Sequence, residues 1–188
     1  MSQTLTDRVK AIKNTPGSGE FAQVIELNGA FDKLDNHFIP ACKIRNTTAG
    51  QVVVSGSGQN KLQYDATLID TYAARSEGPM ADLANDKIVI RKAGLYLLRA
   101  NTLANAGTAG GILRLDLGIN GTTNNSVFDT GTVQATSQEI STFAIMAVND
   151  YVEAFVQQTT GANRTYSNNT YPHIFNLEAY WMGGAVEV

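Results

Sequence analysis

Two histidines, one cysteine and a few aspartate pairs are the residues of this 188-residue chain best equipped for chemistry. Neither His37 nor His173 has a second His or a Cys at the spacing of a metal-ligand set. Cys42 follows Pro40-Ala41, and no arrangement of a basic residue with a histidine surrounds it to stabilise a thiolate, so it reads as a small buried hydrophobe. Asp82 with Asp86, or Asp65 with Asp70, are the carboxylate pairs that a calcium site or a glycosidase would use. Their spacing supports neither, and solvated loop carboxylates are the expectation. Ser55-Gly56-Ser57-Gly58 and residues 107–111 are glycine loops, yet neither leads from a strand into a helix, the geometry that cradles a phosphate. A Gly-X-Ser-X-Gly elbow, a P-loop and His-Glu-X-X-His are absent from the sequence. The expectation is a non-enzymatic protein with no catalytic residues, no cofactor and no metal.

The elements that would hold any site follow from composition. Hydrophobic residues make up 43% of the chain and charged residues 16%, against roughly 25% charged in an ordinary soluble domain. Small polar groups replace the missing charge: 35 residues are Asn or Thr and 17 are Gly, a composition of strands and turns. Disorder is excluded by the apolar content and a mean hydropathy of -0.13. No run approaches the roughly 18 apolar residues of a membrane span, so no membrane insertion is expected. A net charge of -3 with a pI near 5.3 argues against a nucleic-acid partner. Residues 1–10 are polar and show no signal peptide, which predicts maturation in a cytoplasm. The sequons at Asn46, Asn120, Asn124, Asn163 and Asn168 are then chance products of an Asn- and Thr-rich chain. One cysteine excludes an internal disulfide.

Charge is unevenly placed. Residues 1–45 carry 11 of the 31 charged side chains, residues 101–188 carry nine, and no Lys follows Lys92. The boundary falls near Pro40, where the apolar period also changes from helical to alternating. Two parts are therefore predicted: an N-terminal helical segment over 1–40 and a β head over 41–188. In the first, residues 4–13 form a short helix ended by Thr15-Pro16-Gly17. Residues 20–38 form the longer one, with Val24, Leu27, Phe31, Leu34 and Phe38 spaced 3, 4, 3 and 4 as in a coiled-coil seam. That seam serves either packing on its own domain or a self-associating stalk about 28 Å long at 1.5 Å per residue.

After Pro40 the pattern predicts strands at 42–46, 51–54, 68–72, 87–90, 94–102, 112–119, 140–148, 151–158, 164–166 and 173–181, an all-β sandwich or barrel. Leu113, Leu115, Leu117 and Ile119 share one face of their strand, and Arg114, Asp116 and Gly118 the other. Residues 95–98 and 143–148 are apolar on both faces, and 151–156 nearly so, which requires something packed outside the sheet. In the last strand Phe175, Leu177, Ala179 and Trp181 alternate with Ile174, Asn176, Glu178 and Tyr180, and the second set mixes amphipathic and polar groups as subunit interfaces do.

Gly94-Leu95-Tyr96-Leu97-Leu98, Ile119-Asn120-Gly121, Val148-Asn149-Asp150-Tyr151-Val152 and Phe175-Asn176-Leu177 occur in an order that resembles tumour-necrosis-factor-like jelly rolls, especially the globular head of the complement first component. The resemblance covers roughly residues 42–183. It departs at Asn149, where the family usually has Gly, and at Asn176, where Gly often follows the Phe. It implies a jelly-roll β-sandwich that assembles as a trimer. The expected interface residues are Tyr96, Tyr151, Phe155, Ile174 and Tyr180 on the sheet, with Val24, Leu27, Phe31, Leu34 and Phe38 on the helix. Residues 27–35, Leu-Asn-Gly-Ala-Phe-Asp-Lys-Leu-Asp, resemble the helical lead-in of many tailed-bacteriophage virion proteins, just before a trimeric fibre, tip or decoration head. Together the two resemblances imply a virion protein assembled in the host cytoplasm, a homotrimer docking on other virion proteins through residues 1–40. Its head would serve host adhesion at a tail tip or fibre; the alternative is capsid decoration or a head fibre with a stabilising role. If the last strand runs toward the stalk, the loops 103–111, 148–150 and 168–172 form the tip. There Tyr166, Asn168, Asn169 and Tyr171 would suit a host cell-surface glycan.

Overall fold

A computed structural model describes residues 39–47, 50–166 and 175–184, and these form two antiparallel sheets packed face to face. The larger comprises β1 (Ala41–Arg45), β2 (Gln51–Val53), β4 (Ala66–Asp70), β7 (Gly94–Ala104), β10 (Thr136–Met146), β12 (Arg164–Tyr166) and β13 (Asn176–Gly183). Its order is β2-β12-β7-β13-β1-β4, with β10 also paired to β7. The smaller comprises β3 (Asn60–Lys61), β5 (Ala81–Asp82), β6 (Lys87–Val89), β8 (Ile112–Ile119), β9 (Thr122–Thr130) and β11 (Tyr151–Gln158). Its order is β5-β6-β11-β8-β9, with β3 paired to β11. This is the all-β sandwich that the strand pattern predicts, in the jelly-roll form that the resemblance implies. The predicted helices over 4–13 and 20–38, with the seam Val24, Leu27, Phe31, Leu34 and Phe38, lie outside the described residues, as do His37 and His173.

Period-2 alternation builds the core. Cys42 and Ile44 of β1, Tyr96, Leu98 and Ala100 of β7, and Leu177 and Ala179 of β13 point inward from the larger sheet, all fully buried. Leu113, Leu115 and Leu117 of β8, with Val152, Ala154 and Val156 of β11, meet them from the smaller. Burial raises the Cys42 thiol well above its ordinary pKa, with Asp70 adding to the rise, and an inert packing group results.

Three strands, β8, β11 and β12, have the bounds that alternation predicts; the other predicted strands are shifted at their ends, β3, β5 and β9 were not predicted, and two of the differences, at β9 and β10, have clear physical reasons. β9 was not expected, because Thr122–Thr130 has few apolar residues and alternates only between exposed and half-buried positions. Its signal is the turn: Asn120 and Gly121 both have positive φ, 52° and 77°, which is the Asn-Gly hairpin connection. β10 begins at Thr136, ahead of the apolar run, because polar Gln138 points inward and donates to Leu113 O at 3.1 Å.

Register fixes the two ends of the sandwich and corrects the predicted tip. Met146 of β10 pairs with Gly94 of β7, and Thr136 pairs with Ala104. The loop 147–150 therefore lies at the Gly94 end, beside the start of β1 and the end of β13, where Trp181 N donates to Pro40 O at 2.9 Å. The loop 105–111 lies at the opposite end. The expected tip thus joined loops that the antiparallel register separates by the length of β7.

Candidate functional site

The outer face of the larger sheet carries the most contiguous apolar surface outside the core. Across it, Phe143 of β10, Leu97 of β7, Tyr180 of β13 and Ala41 of β1 stand opposite one another in one row. Ile145 and Leu95 form the next row toward the end of the sandwich. Phe143 is 62% exposed and Ile145 is 74% exposed, although both sit on a strand whose inward residues are packed. Contiguous exposed apolar rows of this kind mark interaction surfaces, whereas scattered apolar residues need no explanation. Burial, and then Glu178, raise the Tyr180 hydroxyl above its ordinary pKa, so it stays a neutral, amphipathic group at neutral pH.

Beyond this apolar area the face turns charged but balanced. Arg99 Nη2 meets Glu139 at 2.6 Å and its Nε donates to the other carboxylate oxygen at 2.9 Å, a bidentate pair. Lys43 Nζ lies 2.7 Å from the nearly buried Glu178. The face therefore presents an apolar area flanked by neutralised pairs, a composition suited to contact with another protein surface.

The residues expected at the sheet interface do not all lie on this face. Tyr180 lies on it. Tyr96 points the other way and is wholly buried in the core, with its hydroxyl donating to Lys92 O at 2.8 Å. Tyr151 and Phe155 stand on the outer face of the smaller sheet, where Lys87 Nζ lies 4.4 Å from the centre of the Tyr151 ring. Ile174 lies outside the described residues. Parity along one strand tells which residues are together but not which side is inward, and that choice misplaced Tyr96. Phe143, Ile145, Leu95 and Leu97 are the residues of these strands that face outward, and the doubly apolar pattern was the signal that could have named them.

Of the expected glycan site, only Tyr166 lies among the described residues, and its place is corrected. Tyr166 is fully buried beside Ala104, and burial pushes its hydroxyl up to about 12 against the opposing influence of Arg164, so this ring reaches no ligand. Asn168, Asn169 and Tyr171 lie outside the described residues. The end of the sandwich near Tyr166 is organised instead by Arg164, which is almost wholly buried and donates to Asn105 O at 2.9 Å, Thr108 O at 2.5 Å and Thr132 O at 2.6 Å. One planar cation thereby fastens two loops, 105–111 and 131–135.

The aspartates serve the backbone. Asp70 accepts from Tyr72 N and Ala81 N, both at 2.9 Å, and Asp86 accepts from Tyr64 N at 2.7 Å. Asp65 accepts from Thr47 N at 2.7 Å and Asp82 from Asn85 Nδ2 at 3.0 Å. Each is a loop tether, and neither Asp65 with Asp70 nor Asp82 with Asp86 works as a pair. Among the described residues no group of three His, Cys, Asp or Glu side chains is placed to hold a metal.

Comparison with known proteins returns no matching family model and no matching curated protein. Solved structures do match. The structure of Eiger TNF from S. frugiperda superposes with a TM-score of 0.60 at 11% identity, over 79% of this chain and 96% of that one. A crystal structure of murine APRIL gives 0.53 at 9% identity, over 77% of this chain and all of the other. The globular domain of zebrafish complement 1qA protein gives 0.50 at 10% identity, over 77% and 98%. At such identities these likenesses establish the fold, a tumour-necrosis-factor-like jelly roll.

Proposed function

We propose that the chain is a non-enzymatic structural protein of a tailed-bacteriophage virion, a homotrimer that docks on other virion proteins through residues 1–40 and exposes its β head for adhesion to a host surface. One observation carries the self-association: two adjacent apolar rows on the outside of an already packed sandwich, with Phe143 and Ile145 exposed and Leu97, Tyr180 and Leu95 half-buried beside them. Two further copies are the occupants that fit, because the apolar area is flanked by charges already paired within the chain. The trimeric habit implied by the sequence resemblance supports this reading, and the phage-like lead-in at residues 27–35 supports the virion role, with assembly in the host cytoplasm.

Light scattering on the full chain at micromolar concentration tests the assembly. A mass three times 20.2 kDa is expected, and a stable monomer overturns it. Electron microscopy of labelled particles tests the location: single trimers at a tail tip or fibre agree with adhesion, and absence from purified particles removes the virion role. A second reading, capsid decoration or a head fibre that stabilises the shell, is favoured by the burial of Tyr166, which takes away one expected receptor contact. Hundreds of copies on a head lattice would decide for it.

A further inference from the structure

The outer face of the smaller sheet carries two cross-strand rows near the β9 edge. Phe128, Arg114 and Gln157 stand opposite one another in the first. Thr130 and Ile112 form the second, continued by Thr159, whose N–H donates to Ile112 O. Over these rows lies an open groove of about 150 Å³ lined by Ile112, Arg114, Phe128, Gln157 and Thr159. It is small beside the roughly 300–1,000 Å³ of sites that enclose drug-sized ligands, so it holds a single ring lying against its wall.

The chemistry of the groove narrows the ring. Its floor is apolar, with Phe128 at 61% and Ile112 at 49% exposure. Its rim keeps polar groups in reserve. Among the described residues the Gln157 amide and Arg114 Nη1 have no hydrogen-bond partner, and Thr159 Oγ1 accepts the Ile112 N–H at 3.0 Å while its own proton remains available. Arg114 is held flat by two bonds, Nε to Asp116 at 2.6 Å and Nη2 to Ser126 at 3.0 Å, with its guanidinium 5.3 Å from the centre of the Phe128 ring. Asp116 is fully buried against it, so the guanidinium offers a fixed donor whose charge is already balanced. An aromatic floor, an amide, a hydroxyl and a neutralised planar donor complement a ring that is apolar on its face, hydroxylated at its edge and uncharged.

We propose that this groove binds one neutral pyranose of a glycan, with the C–H face of the sugar on Phe128 and Ile112 and its hydroxyls on Gln157, Thr159 and Arg114 Nη1. The proposal rests on the adhesion reading only for its biological use, because the groove lies on the sheet opposite the self-association face and stays outward when that face is covered.

Saturation-transfer NMR on the full chain, with the methyl glycosides of glucose, galactose, mannose and N-acetylglucosamine as probes, tests it. At least one should receive saturation at its ring C–H protons. Phe128→Ala should weaken binding about five-fold, the effect of losing an aromatic contact, with a smaller loss for Gln157→Ala and retention in Phe128→Trp. Melting curves and solution mass should be unchanged in all three variants. Saturation of none of the probes, transfer indifferent to Phe128→Ala, or binding confined to N-acetylneuraminic acid or inorganic phosphate would each overturn the proposal. Saccharide binding lost in Phe128→Ala while attachment to host cells is unchanged leaves the groove standing and removes the adhesion reading.

Discussion

The two sheets bury matching apolar faces against each other but turn different surfaces outward. The larger shows Phe143, Ile145, Leu95, Leu97 and Tyr180 in adjacent rows, then the pairs Arg99 with Glu139 and Lys43 with Glu178. The smaller shows Thr, Ser and Asn along β9, the pairs Lys61 with Glu153 and Arg114 with Asp116, the half-buried rings of Tyr151 and Phe155, and one largely exposed ring, Phe128. The amount of exposed apolar surface matters less than its contiguity. Rows that touch offer a second chain a dry contact, whereas a small apolar floor rimmed by polar groups suits a small amphipathic ligand. Neither β9 nor β10, at the outer edges of their sheets, contains a Lys or Pro to discourage pairing, so protection of the molecule falls to whatever covers its faces.

The largest effect should come from breaking this asymmetry on the larger sheet. Phe143→Asp with Ile145→Asp places two carboxylates where apolar rows would be buried between copies, and desolvation of unpaired charge opposes contact strongly. Light scattering should show the mass fall from three chains to one, with the melting transition of the sandwich preserved because both side chains point away from the core. Phe128→Asp, an equal insult to the smaller sheet, should leave the mass unchanged. The reverse pattern would move the interface to the other face.

That residues 95–98 and 143–148 are apolar on both faces was legible, as was the near-apolar run 151–156, but not that the first two pair in the larger sheet while the third lies in the smaller. Which of their faces is the inner one was not, because alternation is symmetric: Tyr96 and Leu97 are equally plausible core residues until the pairing of Leu98 with Ala179 and Thr142 is known. β9 was hidden because an edge strand wet on its outer face needs no apolar alternation, yet Asn120-Gly121 announced its turn. The sugar groove was invisible for another reason. Its five lining residues come from β9, β8, β11 and the residue beyond, and only cross-strand register brings Phe128, Arg114 and Gln157 into a row.

Glycines sharpen the comparison next. Gly94, on β7, has φ of 152°, and a Cβ there would stand 2.2 Å from Trp181 Nε1 and 2.4 Å from the backbone oxygen of Gly183. A backbone atom cannot swing aside, so Gly94→Ala should destabilise by about 3 kcal/mol or more in urea unfolding. On the smaller sheet a Cβ at Gly118 would meet Phe155 Cε2 at 2.9 Å, and that ring stands on an outer face where it has room to shift. Gly118→Ala should cost about 1 kcal/mol or less. Equal losses would mean that Phe155 is as tightly held as the main chain.

The charge pairs give a smaller contrast, measured in the Phe143→Asp, Ile145→Asp background so that assembly does not contribute. Asp116→Ala removes a fully buried carboxylate that accepts from Arg114 and, at 2.7 Å, from Gln59 Nε2. Arg114 keeps partial access to water, so the loss should be about 2 kcal/mol, below the range for a pair buried on both sides. Glu139→Ala breaks the bidentate but exposed pair on the larger sheet and should change stability by about 0.5 kcal/mol. A large loss there in the monomeric background would show that the face is ordered without a partner.

The turns at the shared end give a small effect at one position and almost none at the other. Asn149 lies in the connection from β10 to β11, between the two sheets, at φ of 73°, and its side chain has only a 3.5 Å approach from Arg91 Nη1. Asn120 lies within the smaller sheet at φ of 52°, but its Nδ2 donates to Asp150 at 2.9 Å and its Oδ1 accepts from Tyr151 N at 3.0 Å. Glycine relieves the left-handed strain at both positions while adding entropy to the unfolded chain, so the backbone effects nearly cancel. What remains is the side chain. Asn149→Gly should leave stability within about 0.5 kcal/mol of the parent, whereas Asn120→Gly, which loses two hydrogen bonds, should cost about 1 kcal/mol. At roughly 2–4 °C per kcal/mol for a chain of this size, a melting curve resolves the two. A loss of similar size at Asn149 would mean that the link between the sheets depends on its amide, and that glycine and asparagine are not equivalent at that turn.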